Sequence, residues 1–566
     1  MDLTDIIYSN DYINILIQNY VAQSERYQML FPESSALLTL NPQYSVLFLE
    51  RSLLPENLFG AVPFTGLPKL FTPLSTLSLE VSGIVQTQNL YGGGYTGKNV
   101  IFGFLDTGID YRHPAFLHAN GQSRILAVWD QTDWTGTPPA QFPYGSLYTK
   151  SDLDAALESS DPLSLVPVTD PDGHGTYVAG VAGGTPDASA GFLGVAPEAD
   201  FAVVKLKLAK QNLKDFYLVS SNAPVFEEDD LLSAMHFLNE TAAAEGKPLV
   251  LCLALGTNQG SHSGTLPVSL TLARYGNTPG VIPVCATGNE GNASHHYYGS
   301  VSETYTPKNV EFLVSEGNRG FTLELWGQAP QLFSVGFRSP GGETIPRIPV
   351  SLNQEQRITF VLERTVIYVN YEVVQATTGS QLILIRMLDP TPGIWTLQVY
   401  RAFPSPPDFH IWLPITGFST SDVTFLEPDP YTTLTTPSAT VPVLSPSTYQ
   451  AANNSFSPES GRGFTRLGEI KPDFAAPGVS VTGPGPAGSY VSFSGSSASA
   501  AITSGAAALF LQWGIQRTPA RYFTAQEVKN YLIRGADRTD TITYPSREWG
   551  YGRLQLYQSF TSLMTN

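Results

Sequence analysis

The chain has 566 residues, enough for three or four domains at about 150 residues each. With 42% hydrophobic and 14% charged residues and no short repeat, it reads as ordinary globular protein rather than collagen, coiled coil or disorder. Its formal net charge of -18 argues against a nucleic-acid partner, which needs a cationic face.

The opening Met1-Asp2-Leu3-Thr4-Asp5 is acidic where a secretory signal is basic, and Asn14 and Gln18 interrupt the apolar stretch near Ile13 to Ile17. The chain is therefore expected to carry no signal peptide, and also no membrane span, because no run reaches about eighteen apolar residues. Residues 1 to about 75 read as a small α+β unit. It has a helical pattern around Tyr12 to Tyr20, a strand at Tyr44 to Leu49, and a loop punctuated by Pro63, Pro68 and Pro73.

From Gly94 strands and helices alternate. Val100 to Leu105 is an unbroken apolar run ending at Asp106, the pattern of a strand buried on both faces of a parallel sheet. Similar runs at Phe201 to Val204, Leu249 to Leu255 and Val281 to Cys285, with a helical pattern at Asp229 to Leu238 between them, predict a doubly wound α/β domain. Cys252 and Cys285 sit inside two of these runs and read as small buried hydrophobes.

Between about 301 and 430 the texture is short, β-branched and aromatic. Segments Phe321 to Trp326, Arg357 to Leu362, Thr365 to Asn370, Leu382 to Arg386 and Trp395 to Tyr400 alternate with Gly, Pro and Asn turns, which predicts an inserted β-sandwich or jelly roll. The α/β texture returns near Lys471 and ends in helical patterns at Ala501 to Trp513 and Ala525 to Arg534. The expected division is thus 1–75, 76–300, the insertion 301–430, and 431–566.

Three distant segments carry chemistry. Phe104-Leu-Asp106-Thr-Gly-Ile-Asp110 puts a carboxylate at the C-terminal end of a buried strand, where open α/β sheets build their sites. Asp172-Gly-His174-Gly-Thr sets an imidazole between two glycines at a helix start, open to close approach. Ser494-Gly-Ser-Ser497-Ala opens a helix of small residues, so Ser497 meets the positive end of a helix dipole. Each alone also reads blandly, as a turn aspartate, a structural histidine and a helix cap.

Together, in the order Asp106, His174, Ser497, the segments resemble the subtilisin-like serine proteases, whose catalytic residues run Asp, His, Ser. Ala286-Thr-Gly-Asn289-Glu-Gly291 is similar to the segment whose asparagine donates to the oxyanion in that family. Lys471-Pro-Asp-Phe-Ala-Ala-Pro-Gly478 and Gly94-Tyr-Thr-Gly-Lys-Asn-Val100 resemble its flanking segments. The resemblance implies Ser497 as nucleophile, with Ser496 standing where the family has threonine. It implies His174 as general base and Asp106 as its orienting partner. It further implies that Ala254-Leu255-Gly256 holds an extended peptide and that Gly288 lines the pocket for the residue before the cut. The usual Pro-His after the nucleophile is replaced by Ala501-Ile502.

Arg124 to Gln131, Pro138-Pro139, Phe142-Pro-Tyr-Gly145, the acidic helical stretch Ser151 to Ser160, Ser497 to Ile502 and Glu548-Trp-Gly-Tyr-Gly552 together look like the Csp germination proteases of clostridia and related spore formers. That likeness implies a prodomain that aids folding, is cut off by the enzyme itself and can stay bound, and a jelly roll that clamps the catalytic domain. Self-cleavage is expected between Lys69 and Glu80. It also implies a location in the spore and, as substrate, the inactive precursor of a cortex-degrading enzyme. Competing readings are a pseudoprotease scaffold, an unexported subtilase with another processing task, and a carbohydrate-binding protein built around the insertion.

No cofactor is expected. The loop Thr185-Pro-Asp187-Ala-Ser-Ala190 lies where subtilases often hold calcium, but it offers one carboxylate where calcium takes six to eight oxygens. His295-His296 has no third ligand nearby in sequence, so no catalytic metal is expected either.

Overall fold

A computed structural model describes the chain except residues 1–2, 20–34, 55–57, 59–61, 74–81, 89–93, 221, 352–354, 404–406 and 565–566. The N-terminal unit is built on a three-stranded antiparallel sheet of β1 (Tyr12–Gln18), β2 (Ser35–Thr39) and β3 (Tyr44–Glu50), with β3 in the middle. The helical pattern expected around Tyr12 to Tyr20 is overturned, because Tyr12–Gln18 is a strand paired in full register with Glu50 to Tyr44. The physical reason is a period of two. Ile13, Ile15 and Ile17 are β-branched and bury one face with Leu47 and Leu49, while Leu16 turns to the other face with Val46 and Phe48. Farther along, β4 (Leu70–Pro73) forms inside the segment expected to be loop.

The central sheet contains β5 (Ile101–Asp106), β6 (Ile125–Asp130), β7 (Ser146–Thr149) and β8 (Asp200–Lys205). After these come the two-residue β9 (Phe226–Glu227), then β10 (Leu249–Leu253), the two-residue β11 (Leu255–Gly256) and β12 (Val281–Cys285). Its order is β12-β10-β5-β8-β6-β7, parallel except for the β6–β7 edge pair. Every residue of β5 is buried, as a strand covered by helices on both faces requires. Phe102 and Phe104 pack on the side of α1 (His174–Gly183) and α3 (Ser496–Ile515), whereas Ile101 and Leu105 pack on the side of α2 (Glu228–Ala244) and the helix Pro267–Gly276. The sheet grows from β5 to one side through β8 and β6 and to the other through β10 and β12. The crevice beyond the C-terminal end of β5 is therefore a switch point of the kind that hosts ligands in open sheets. α3 is long and apolar enough in composition to cross a bilayer, but it is almost wholly buried as the central core helix.

Residues 296–425 contribute two antiparallel sheets, of six and five strands, that enclose one shared core containing Phe312, Leu325, Phe337, Ile385 and Trp395. Arg357–Leu362 is only partly a strand. Pairing covers Gln356–Thr359, and Val361 and Leu362 turn out to solvent. Chain returning from this unit re-enters the α/β layer, where Leu444 bridges Val284 in parallel.

Candidate active site

Asp106 closes β5 and is 2% exposed. His174 is the first residue of α1, after Gly173 in a left-handed conformation (φ 82°). Gly175 lets this helix start approach the β5 strand end, since a Cβ there would lie 2.2 Å from the Gly108 carbonyl oxygen and 3.1 Å from the Asp106 Cβ. The result is a hydrogen-bonded row. His174 Nδ1 lies 2.7 Å from Asp106 Oδ1, and His174 Nε2 lies 3.0 Å from Ser497 Oγ. The Ser497 hydroxyl also lies 3.4 Å from the Ala254 carbonyl oxygen.

Burial of the ring opposes its charged form. The ionised Asp106 partner, with Asp172 and Asp170 behind it, outweighs that penalty and holds the His174 pKa above its ordinary 6.5. An imidazole so placed can take a proton from Ser497, and the adjacent carboxylate stabilises the resulting imidazolium.

Asn289 follows β12, on the loop that faces the start of α3. Its Oδ1 accepts the main-chain N–H of Ser496 at 2.9 Å, and the Ser496 hydroxyl accepts the N–H of Gly288 at 3.0 Å. With Oδ1 so engaged, the NH2 is the donor end of the Asn289 side chain. Gly288 is held at φ 86°, and a Cβ there would meet Thr435 Cγ2 at 2.4 Å. The backbone of Thr435 and Thr436 bonds to both Thr287 and Thr257, so it spans the slot between the loop of Gly288 and the edge Ala254-Leu255-Gly256.

That edge is occupied by the chain itself. β4 runs between β11 and β9, with Thr72 opposite Gly256 and Pro73 opposite Leu255 on one side, and Leu70 opposite Glu227 and Phe71 opposite Phe226 on the other. The Leu70 N–H also donates to Gln259 Oε1 at 2.9 Å. The β4 pairing was not legible in the Pro-rich stretch. Part of the expected self-cleavage interval, 74–80, lies outside the described residues.

Asp170 also escaped the sequence reading. Its buried carboxylate accepts from the Thr107 hydroxyl (2.7 Å), the Gly173 N–H (3.1 Å), and the Thr176 N–H (2.8 Å) and hydroxyl (2.7 Å). A short acidic residue just before a helix-opening glycine was the available signal.

Among the described residues, Glu227, Asp229 and Asp230 bring carboxylate oxygens within 4.8 Å of one another. The cluster is already engaged. Lys207 Nζ lies 2.6 Å from Asp230, Asn14 Nδ2 donates to Glu227 and Asp229, and Lys210 donates to Asn14 Oδ1. Asp187 accepts from Ser189 and Ala190 of its own turn.

A doubly wound sheet with this Asp-His-Ser row at its C-terminal edge is the subtilisin-like α/β architecture. The chain belongs to the subtilase family (peptidase S8), whose model matches residues 97–552. The structure of the Clostridium perfringens CspB protease is similar at 30% identity and a TM-score of 0.75, over 86% of this chain and 98% of that one. The major intracellular serine protease of Bacillus subtilis (strain 168) is 23% identical over 266 residues, 47% of this chain and 65% of that protein. Subtilisin-like protease PopC of Myxococcus xanthus is 27% identical over 227 residues, 39% of each. The chain thus spans less than two thirds of the length of these two curated relatives.

Proposed function

We propose that the chain is a serine endopeptidase of subtilisin type that removes its own N-terminal unit, to about residue 75, and then activates a spore cortex-lytic enzyme precursor during germination. The observation that carries the protease reading is the 3.0 Å approach of Ser497 Oγ to His174 Nε2, with Asp106 2.7 Å behind the ring. Ser497 attacks the scissile carbonyl as His174 takes its proton. His174 then returns the proton to the leaving amine, while Asp106 keeps the tautomer and stabilises the imidazolium. Charge arising on the carbonyl oxygen is met by the Asn289 NH2 and the Ser497 N–H.

In this reading Ala254, Leu255 and Gly256 hold the peptide backbone, and Gly288 lines the pocket for the residue before the cut. The β4 register bears on the cleavage point. Thr72 and Pro73 stand opposite Gly256 and Leu255, and the carbonyl of the adjoining Ala254 neighbours the Ser497 hydroxyl, so β4 leads toward the nucleophile. We place the cut shortly after β4, inside the expected interval. The N-terminal unit is then a prodomain seated as product, and the two-sheet insertion corresponds to the clamping jelly roll. The likeness to the CspB protease, over nearly all of that chain, supports the germination role, and a location in the spore is proposed with that role.

The test is purification of the native chain and of Ser497→Ala, followed by N-terminal sequencing and fluorophosphonate labelling. Native protein should begin at a residue between Pro73 and Glu80 and label at Ser497, and Ser497→Ala should remain intact and unlabelled. An intact, unlabelled native chain would overturn the reading.

A further inference from the structure

Glu290, the residue after Asn289, is 3% exposed and accepts four hydrogen bonds. Oε2 takes Asn258 Nδ2 (2.9 Å) and His295 Nδ1 (2.6 Å), and Oε1 takes the Thr416 hydroxyl (2.7 Å) and N–H (3.2 Å). Burial alone would raise its pKa, but the His295 and Thr416 donors hold it below the ordinary value, so the carboxylate is charged.

These donors come from three places. Asn258 lies two residues beyond the edge strand β11. His295 immediately precedes the strand His296–Ser300, the first of the inserted unit, and Thr416 lies in the loop between that unit's strands Asp408–Trp412 and Val423–Phe425. The segments are tied to one another as well. Asn258 Nδ2 also donates to the Leu413 carbonyl (3.2 Å), and the Leu413 N–H donates to the His295 carbonyl (2.9 Å).

We infer that Glu290 is a positioning residue through which the inserted two-sheet unit sets the oxyanion donor Asn289. This rests on the protease reading and goes beyond it. Asn289 is gripped from two directions, by the Ser496 N–H on its side chain and by the buried Glu290 node on the adjoining backbone. An amide that must meet charge appearing only in the transition state gains nothing from contacts that let it drift, because the stabilisation depends on a donor placed in advance. The insertion leaves the catalytic layer beside this carboxylate and touches it again through the loop carrying Thr416, so its entry and this loop together act as a brace on the oxyanion loop. The pairing with Asn258 extends the brace to the strand that holds the peptide.

The experiment uses the full chain and an internally quenched peptide of its own residues 69–80, with Glu290→Gln, Thr416→Val and Asn289→Ala made singly and Glu290→Gln and Thr416→Val each combined with Asn289→Ala. Gln turns an NH2 toward donors that need an acceptor, and Thr416→Val deletes one donor on the inserted unit without touching the triad. Glu290→Gln should lower kcat by about tenfold or more with KM within about twofold, and slow fluorophosphonate labelling in parallel. Thr416→Val should do the same to a smaller extent. In the Asn289→Ala background both losses should vanish, since there is no donor left to position. Wild-type kcat in both single variants, or losses that multiply with that of Asn289→Ala, would overturn the inference. If Glu290→Gln does not fold, the Thr416→Val cycle decides it. A wild-type chain that neither labels nor cuts the peptide would overturn the protease reading and this inference with it.

Discussion

Asp170 and Thr107 are joined by a 2.7 Å hydrogen bond that ties the strand carrying Asp106 to the helix carrying His174. The Thr107 N–H donates to Asp106 Oδ1 at 2.7 Å, and the Thr107 hydroxyl accepts the Gly175 N–H at 3.1 Å. The other Asp170 bonds all go to the first turn of the helix. Loss of this clamp should let the two halves of the dyad drift. Asp170→Asn is expected to lower kcat by about 10²-fold, the scale attached to a misplacement near 1 Å, with little change in KM. Thr107→Val, which removes only the link, should give part of the same loss. Steady-state kinetics normalised to fluorophosphonate-titrated sites would check both.

The raised His174 pKa fixes the sign of the pH dependence. The base must be neutral to accept the Ser497 proton, so activity falls as pH drops through a value above 6.5. Asp172 adds to the negative field at the ring, so Asp172→Asn should move the acid limb of kcat/KM to lower pH. A limb that stays in place in that variant would count against the electrostatic account.

Lys69 is completely buried just before β4, with its ammonium donating to the Phe64 carbonyl at 2.7 Å and to that of Leu67. Burial lowers its pKa, and the charge is countered by Glu228 at the start of α2 and by Glu324 and Glu372 of the inserted unit. Burial pushes both of the latter up to about 7. One cation thus faces acids from two other parts of the molecule. Lys69→Met leaves two buried carbonyls without their donor and should cost about 1 to 3 kcal/mol. Denaturant unfolding of the Ser497→Ala chain, which keeps the N-terminal unit covalently attached, would measure it. Adding Glu228→Gln should recover part of the loss.

His296 and His410 share a 2.9 Å contact between Nε2 and Nδ1, and both rings stack near Trp412. Burial lowers the His296 pKa to about 4. Burial, with the neighbouring His296, Arg466, His262 and Arg547, keeps that of His410 well below its ordinary value. A depressed histidine is neutral in the native state while the unfolded chain takes up the proton. Its stabilisation is therefore complete above 6.5 and is lost as pH falls toward about 4, by roughly 3 kcal/mol for His296. Thermal midpoints between pH 7 and 5 should fall, and His296→Gln should flatten the slope.

The α/β layer and the three segments of the site were legible in the sequence because their signals are local. A short unbroken apolar run bounded by turn residues fits a doubly covered strand, and the short neighbours of Asp106, His174 and Ser497 announce strand ends and helix starts where open sheets build their sites. The N-terminal strand was missed because Tyr12 to Gln18 also satisfies a helical spacing, and only its partner Tyr44–Glu50 selects the period of two. Nor does any local pattern in the Pro-rich stretch reveal that Leu70–Pro73 lies between Leu255–Gly256 and Phe226–Glu227, or that Glu290 gathers Asn258, His295 and Thr416. Those relations join residues up to about two hundred positions apart, and their hydrogen bonds form only once the chain has been brought back on itself. The sequence by itself determined which functional groups the protein owns and in which elements they stand. Tertiary structure alone decided which of them meet, because contact between remote residues is a property of packing and not of spacing along the chain.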